Sequence, residues 1–225
     1  MALFFPDIHS KNLKLTAGER RFATCLFRNL EDDYCCWMNV PVGGRQLRPD
    51  FIVLHPGRGI LVLEVKDWKL PTIRSMDRLQ AELLTDRGLK TEVNPLEQAR
   101  GYAIAIKEML ERDPLLVRQD SGRYHGHLLL PWGFGVVLTN ITRKQFLENG
   151  LDQAIPGDRV ICQDEMGREA VRDGLKTIKL VNVKDKADMK LAFSEGTLAM
   201  HCAYAQRTDG MFSDGEIRQL LMKSL

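Results

Sequence analysis

Two short apolar segments joined by a turn constrain the fold of this chain more than any other feature. The first, residues 51–54, directly follows Asp50, and the second, residues 60–63, leads into Glu64, Val65 and Lys66. The turn between the two segments holds a proline and two glycines. This pattern predicts two adjacent buried strands that carry charged residues at their ends.

The charged residues at these strand ends predict a site for phosphodiester chemistry. Side chains alternate along a strand, so Glu64 and Lys66 are expected on one face and Val65 on the other. Two carboxylates and a lysine at the ends of adjacent strands can hold Mg²⁺ and activate a water molecule. The alternative is a solvated Glu64–Lys66 pair worth less than ~1 kcal/mol. We favour the functional interpretation, because charges at the end of so apolar a strand need a reason.

The Asp50…Glu64-Val65-Lys66 pattern resembles the PD-(D/E)xK nuclease superfamily, and residues 48–69 resemble its nuclease-related domain, NERD. The resemblance implies that Asp50, Glu64 and the backbone carbonyl of Val65 bind the metal, either Mg²⁺ or Mn²⁺. It also implies that Lys66 positions the attacking water. The implied fold is α/β: a restriction-endonuclease-like core with a mixed central β-sheet flanked by helices.

A second motif lies on a predicted helix that begins after Asn94. Asn94 is a suitable N-cap, and Pro95 suits the first helical position. Gln98 and Tyr102 are four residues apart and share one helix face. RecB-type nucleases of the superfamily carry the same Q-x-x-x-Y beside the active site, where it contacts the lysine or DNA. Without the acidic motif, an ordinary amphipathic helix would be the better interpretation.

Glu19 has two possible roles that the sequence leaves open. The resemblance implies that an acid near the start of the first helix completes the metal site. Thr16 and Glu19 also fit a capping box, in which the Glu19 carboxylate accepts from the N-cap backbone. The Glu19→Gln substitution separates these roles, because glutamine can still cap but is a weaker metal ligand.

Charge and composition restrict how the chain can bind nucleic acid. The 225 residues include 32 basic and 30 acidic ones, a net charge of +2, so DNA binding must depend on local basic clusters. We name Arg48 and Arg100, with Gln98 and Tyr102, as candidate DNA contacts. Further basic candidates are Arg20, Arg21, Arg45, Arg143 and Lys144, each of which alone is more typical of a solvated surface.

The order of predicted elements fits the implied nuclease core. It consists of a helix at 19–30, strands at 34–40, 50–54, 60–65, 72–75 and 79–84, a helix at 94–111, a loop at 113–131 and strands at 133–139 and 158–162. We predict a nuclease-related domain over residues 1–165. Residues 166–225 form a small C-terminal extension with predicted helices at 164–175, 187–193 and 217–225, or a linker towards a further domain.

These observations predict a divalent-metal-dependent DNA nuclease acting in DNA repair, DNA processing or defence against mobile elements. The alternatives are a catalytically silent DNA-binding or docking module and a structural partner domain. Domains of this kind often precede a superfamily 1 helicase motor, although the 225 residues hold no P-loop motif. A homodimer is possible, and no membrane segment is expected. Five cysteines without a C-x-x-C motif predict reduced thiols and a cytoplasmic protein.

Overall fold

The computed structural model describes residues 2–11, 13–32, 34–43, 47–55, 59–114, 116–119, 121–122, 124–128 and 130–167. Within them lie three α-helices: α1 (Ala17–Asn29), α2 (Pro95–Leu110) and α3 (Arg143–Glu148). The strands in the same residues are β1 (Leu3–Phe5), β2 (Cys35–Met38), β3 (Phe51–His55), β4 (Gly59–Lys66), β5 (Ile73–Met76), β6 (Gln80–Thr85), β7 (Gly88–Val93), β8 (Trp132–Leu138) and β9 (Val160–Cys162). No helix in this part of the chain is long and apolar enough to cross a bilayer.

The central sheet is mixed, with the order β1-β2-β3-β4-β8-β9. β2, β3 and β4 form an antiparallel meander, whereas β8 and β9 add to β4 in parallel. β4 is the longest strand, and every residue from Gly59 to Val65 is buried. Because β4 lies between β3 and β8, its carboxyl end is covered on both sides. A mixed central sheet with flanking helices is the predicted nuclease-like core, and the fold class is confirmed.

Helices cover the two faces of this sheet, and the alternation of strand residues decides which helix each one contacts. α1 packs through Phe22, Ala23 and Leu26 against a cluster that includes Phe51 and Leu63. α2 packs on the opposite face against Ile52, Leu54, Ile60 and Val62. The even-numbered residues of β3 and β4 therefore face α2. Glu64 and Lys66 continue this even-numbered series, so they face α2 as well.

A second, antiparallel sheet has the order β5-β6-β7 and follows β4 along the chain. It packs beside β8 and β9 through a third cluster, in which Ile73 and Met76 contact residues such as Val136 and Val160. Its hairpin strand β7 is exposed at five of six positions and half-buried at Glu92. This sheet leads into α2, whose N-cap Asn94 is fully buried and donates to the carbonyl oxygen of Asp77.

One glycine allows the β3–β4 turn to reach the core. Gly59 has a φ of +89°, and a Cβ there would lie 1.9 Å from the carbonyl oxygen of Pro131. The next residue, Ile60, donates its N–H to that same oxygen at 2.9 Å. Only glycine fits this left-handed conformation and close backbone approach. Gly59 therefore allows the start of β4 to lie close beside the start of β8.

The predicted elements up to residue 162 agree with the observed ones to within two residues at each end. Sequence reasoning did not predict β1, β7 or α3. β7 is polar and exposed, β1 has three residues, and α3 buries only Phe146. Of the predicted helix at 164–175, residues 163–165 form a 3₁₀ turn, and most of it lies outside the described residues. The predicted helices at 187–193 and 217–225 lie there too.

Candidate active site

The strand register brings Asp50 and Glu64 opposite each other. Phe51 pairs with Leu63 in the antiparallel ladder of β3 and β4. The next pair outward is Asp50 with Glu64, and Asp50 Oδ2 accepts a hydrogen bond of 2.7 Å from the Val65 N–H. The two predicted acids therefore lie together at one end of the hairpin, although 13 residues separate them along the chain.

The Val65 backbone points its carbonyl towards Asp50. On one side of β4, the Lys66 carbonyl accepts from the Thr139 N–H of the chain that follows β8. The N–H and C=O of a given strand residue point to the same side, and neighbouring residues alternate. Since the Val65 N–H reaches Asp50, its carbonyl also lies on the Asp50 side. This is the backbone oxygen that the family resemblance implied as a metal ligand.

The surroundings of the Asp50 carboxyl group favour its protonated form, or a bound cation, over the free carboxylate. Burial, and then the neighbouring Glu64 charge, raises the pKa of Asp50 to about 7, although the Val65 N–H opposes the change. Two carboxyl groups this close cannot both ionise freely. Near neutral pH the pair therefore competes for a proton unless a cation neutralises it.

Glu64 is a buried carboxylate whose hydrogen bonds are only partly satisfied. It is 3 % exposed, and burial raises its pKa even though Lys66 opposes the shift. Glu64 Oε1 accepts from Lys66 Nζ at 2.8 Å, whereas the buried Oε2 has no hydrogen-bond donor within the described part of the chain. A protonated Asp50 can donate to Glu64, but two ionised acids leave Oε2 unsatisfied. A buried carboxylate oxygen without a partner is costly.

Lys66 and Gln98 connect the two predicted motifs. Lys66 Nζ donates to Gln98 Oε1 at 3.3 Å, and Gln98 Nε2 donates to the Tyr102 hydroxyl oxygen at 3.1 Å. Burial alone would lower the pKa of Lys66, but the Glu64 and Asp50 charges outweigh it and raise the pKa. Lys66 is thus a hydrogen-bond donor at neutral pH. Its ammonium also lies 5.7 Å from the centre of the Trp68 ring.

The structure confirms the capping box at Glu19. Thr16 Oγ1 accepts from the Glu19 N–H and Glu19 Oε2 accepts from the Thr16 N–H, both at 3.2 Å. The Glu19 charge also helps to raise the pKa of both Asp50 and Glu64, so this carboxylate is near enough to act on the acid pair. Among the described residues, however, no three Asp, Glu, His or Cys side chains are arranged to hold a metal ion. The metal-ligand role of Glu19 stays a prediction.

We expect Glu19→Gln to leave folding stability nearly unchanged and to weaken Mn²⁺ binding about three- to tenfold. Glutamine at this position keeps the capping box, whereas the negative charge that acts on the acid pair is lost. The measurement is the rise in melting temperature with Mn²⁺ concentration. Thr16→Ala is the matched control: it should cost about 1 kcal/mol of stability and leave Mn²⁺ affinity intact. An unchanged Mn²⁺ affinity in Glu19→Gln would restrict Glu19 to capping.

The predicted DNA-contact arginines differ in their surroundings. Arg48 is exposed and donates to the Asn39 carbonyl at 3.3 Å, two residues before Asp50. Arg100 is exposed on α2 and pairs with Glu97 at 3.1 Å. Arg143 has a structural role, because its guanidinium binds both carboxylate oxygens of Glu165 at 2.7 Å. Arg48 and Arg100 therefore lie at the surface, and their DNA contacts stay predictions.

Glu92 is a site neighbour that sequence reasoning missed. It is the only half-buried residue of the described strand β7, pairs with Lys90 at 2.8 Å, and its charge contributes to the raised pKa of Lys66. No motif marks it, since it belongs to an exposed hairpin with alternating polar residues. The available signal was the hairpin itself: Gly88 follows Asp86-Arg87 between two segments of alternating residues.

The fold and the site together define a class of protein, one with a mixed-sheet core that carries paired acids and a lysine at the ends of adjacent strands. Among protein-family models, the nuclease-related domain, NERD, matches residues 14–131. The match spans more than half of the chain, and the chain belongs to this family. Membership supports a nuclease-related function. Comparisons with curated proteins and with solved structures gave no match.

The family match covers the predicted site but not the whole sheet. Glu19, Asp50, Glu64, Lys66 and Gln98 all lie within residues 14–131. The match ends immediately before β8, which pairs with β4 along its length from Ile60 to Lys66. The site therefore depends on a strand outside the matched residues.

Proposed function

We propose that this protein is a divalent-metal-dependent nuclease that hydrolyses phosphodiester bonds in DNA. The observation that carries the proposal is the buried Glu64 carboxylate, whose Oε2 finds no donor among the described residues, beside Asp50 and the Lys66 ammonium that Gln98 also holds. A site with unsatisfied negative charge and hydrogen-bond donors on one side is suited to a cation and a phosphate together. NERD membership supports the same class of activity.

The donor set fits a hard divalent cation. Asp50, Glu64 and the Val65 carbonyl offer only oxygen atoms, which Mg²⁺ and Mn²⁺ prefer. Mg²⁺ usually keeps several waters and needs only one or two carboxylates, so a third acid is not required. When bound, the ion stabilises negative charge on the phosphate and lowers the pKa of bound water.

The roles of the remaining residues follow from their hydrogen bonds. Lys66 carries a proton at neutral pH, so it is suited to orient a water or to stabilise charge on the phosphate. It is a poor proton acceptor in this state. Gln98 holds the lysine at 3.3 Å and is itself held by Tyr102. Glu64 fixes Lys66 from the other side, so the ammonium has a defined position.

A second candidate is a catalytically silent module that binds or docks DNA. The observation in its favour is that the described residues offer no group of three metal-binding side chains, with the Glu19 carboxylate engaged in its cap. Under this proposal Asp50 would remain protonated and Lys66 would contact phosphate without chemistry.

The wider setting is also a proposal. We infer that such a nuclease acts in DNA repair, DNA processing or defence against mobile elements, in the cytoplasm. Its partner would be a superfamily 1 helicase motor or a second copy of this chain. A helicase would supply unwound strands to the site. The NERD match supports the nuclease class on which these proposed settings depend.

Cleavage of supercoiled and linear DNA tests the proposal directly. The reaction contains Mg²⁺, Mn²⁺ or EDTA, and the products separate nicking from degradation at ends. We expect cutting with either metal and none in EDTA. DNA binding without cutting, under all metal conditions, would favour the silent module instead.

A further inference from the structure

A basic groove runs along the exposed side of α1 and has no role in the site described above. Its volume is about 1120 Å³. The lining includes four basic side chains, those of Arg20, Arg21, Arg28 and Lys69, and one acidic side chain, that of Asp67. The whole chain has a net charge of only +2. The groove lining therefore carries more basic than acidic side chains, whereas the chain as a whole is nearly balanced.

The groove begins at the candidate active site. Asp67 and Lys69 directly follow Lys66, and Ala17 and Arg20 flank Glu19, whose charge acts on both acids. A Cβ added to Gly18 would lie 2.8 Å from Asp67 Cβ, so the first turn of α1 is packed tightly against the chain after β4. The groove and the site therefore meet at the carboxyl end of β4, where the chain after Lys66 lies against the first turn of α1.

Three of the groove's four cations are available for a ligand. The Arg21 guanidinium is engaged, since it donates to Thr139 Oγ1 at 2.9 Å and Asn140 Oδ1 at 2.7 Å. Within the described part of the chain, Arg20, Arg28 and Lys69 form no ion pair with a carboxylate. Arg20 and Arg28 are eight residues apart, on one face of α1, which separates them by about 12 Å along the helix axis.

We propose that this groove binds the phosphate backbone of a nucleic acid strand that extends from the candidate active site. The proposal rests on the nuclease function proposed above. A span of about 12 Å matches several consecutive phosphates, which lie roughly 3.4 Å apart along the axis of one duplex strand. None of the described lining residues is aromatic. Binding is therefore through the backbone, without base stacking, and independent of sequence.

The test measures DNA binding in EDTA, so that it does not depend on cleavage. The probes are fluorescent single-stranded and duplex oligonucleotides of two unrelated sequences, titrated between about 50 and 200 mM salt. The double variant Arg20→Gln/Arg28→Gln removes two groove charges at exposed positions. We expect its affinity to fall about tenfold or more at low salt, equally for both sequences, and the slope of log K against log salt to decrease by about 1.4–1.8.

The matched control removes the same charge elsewhere. Arg87→Gln/Arg112→Gln changes two exposed residues, one in the β6–β7 turn and one just after α2, and should retain the wild-type affinity and slope. Equal weakening by both double variants, or no weakening by the groove variant, would overturn the proposal. If the protein binds DNA through Arg20 and Arg28 but never cuts it, the groove proposal stands and the nuclease proposal is refuted. If it cuts DNA but binds equally well without these two arginines, the nuclease proposal stands and the groove proposal is refuted.

Discussion

Lys66→Ala is expected to reduce the rate of metal-dependent DNA cleavage by about 10²–10⁴-fold, the range for loss of a positioned proton donor or charge stabiliser. Its ammonium lies 2.8 Å from Glu64 Oε1 and 3.3 Å from Gln98 Oε1, so both neighbours fix it in place. The measurement is single-turnover cleavage of a labelled oligonucleotide in Mg²⁺. The loss should appear in the rate constant and only weakly in DNA affinity.

Removal of Lys66 also leaves a buried acid without its partner. Glu64 is 3 % exposed, and loss of the lysine favours its protonated form. Lys66→Met is therefore the companion variant, because it keeps much of the aliphatic stem while removing the charge. Lys11→Ala, at an exposed position before α1, is the control that should cut like wild type. Equal cleavage by wild type and both Lys66 variants, with folding intact, would exclude Lys66 from catalysis.

Asp50→Asn is expected to stabilise the metal-free protein while abolishing its stabilisation by metal. The folded protein holds the Asp50 proton up to a pKa of about 7, whereas an unfolded Asp ionises near 3.8. Between these values the folded state binds more protons, so wild-type stability falls as pH rises from about 4 to 7. Asparagine never ionises and can still accept from the Val65 N–H. At pH 8 the variant should be more stable by on the order of 2–4 kcal/mol.

Thermal melting in EDTA from pH 4 to 8 measures this difference. The gap between Asp50→Asn and wild type should be widest at pH 8 and should close towards pH 4. Adding Mn²⁺ at pH 8 should raise the melting temperature of wild type only, since ligand binding to the folded state adds RT ln(1 + [L]/Kd). Wild-type metal affinity should weaken below about pH 7 as protons compete for the acids. A variant less stable than wild type at pH 8, or a metal affinity independent of pH, would contradict this account of Asp50.

The local sequence pattern was sufficient to predict the secondary-structure elements that carry the site. The blocks of apolar residues predicted β3 and β4, and the Asn94-Pro95 start predicted α2, all within two residues. The i, i+4 spacing put Gln98 and Tyr102 on one face, and their side chains are 3.1 Å apart. These predictions depend only on strand and helix periodicity, which neighbouring residues determine. β7 was missed because its alternation carries no buried apolar face, and Glu92 was missed with it.

The sequence by itself determined that Glu64 and Lys66 share a face and that Thr16 and Glu19 can form a capping box, since both depend on residues two or three positions apart. Only the tertiary structure decided that Asp50 lies opposite Glu64, that Gln98 reaches Lys66 from α2, and that Arg20, Arg28 and Lys69 line one groove. It also decided the protonation of the site. A carboxyl pKa near 7 requires burial and a second nearby acid, and both depend on how distant segments pack together.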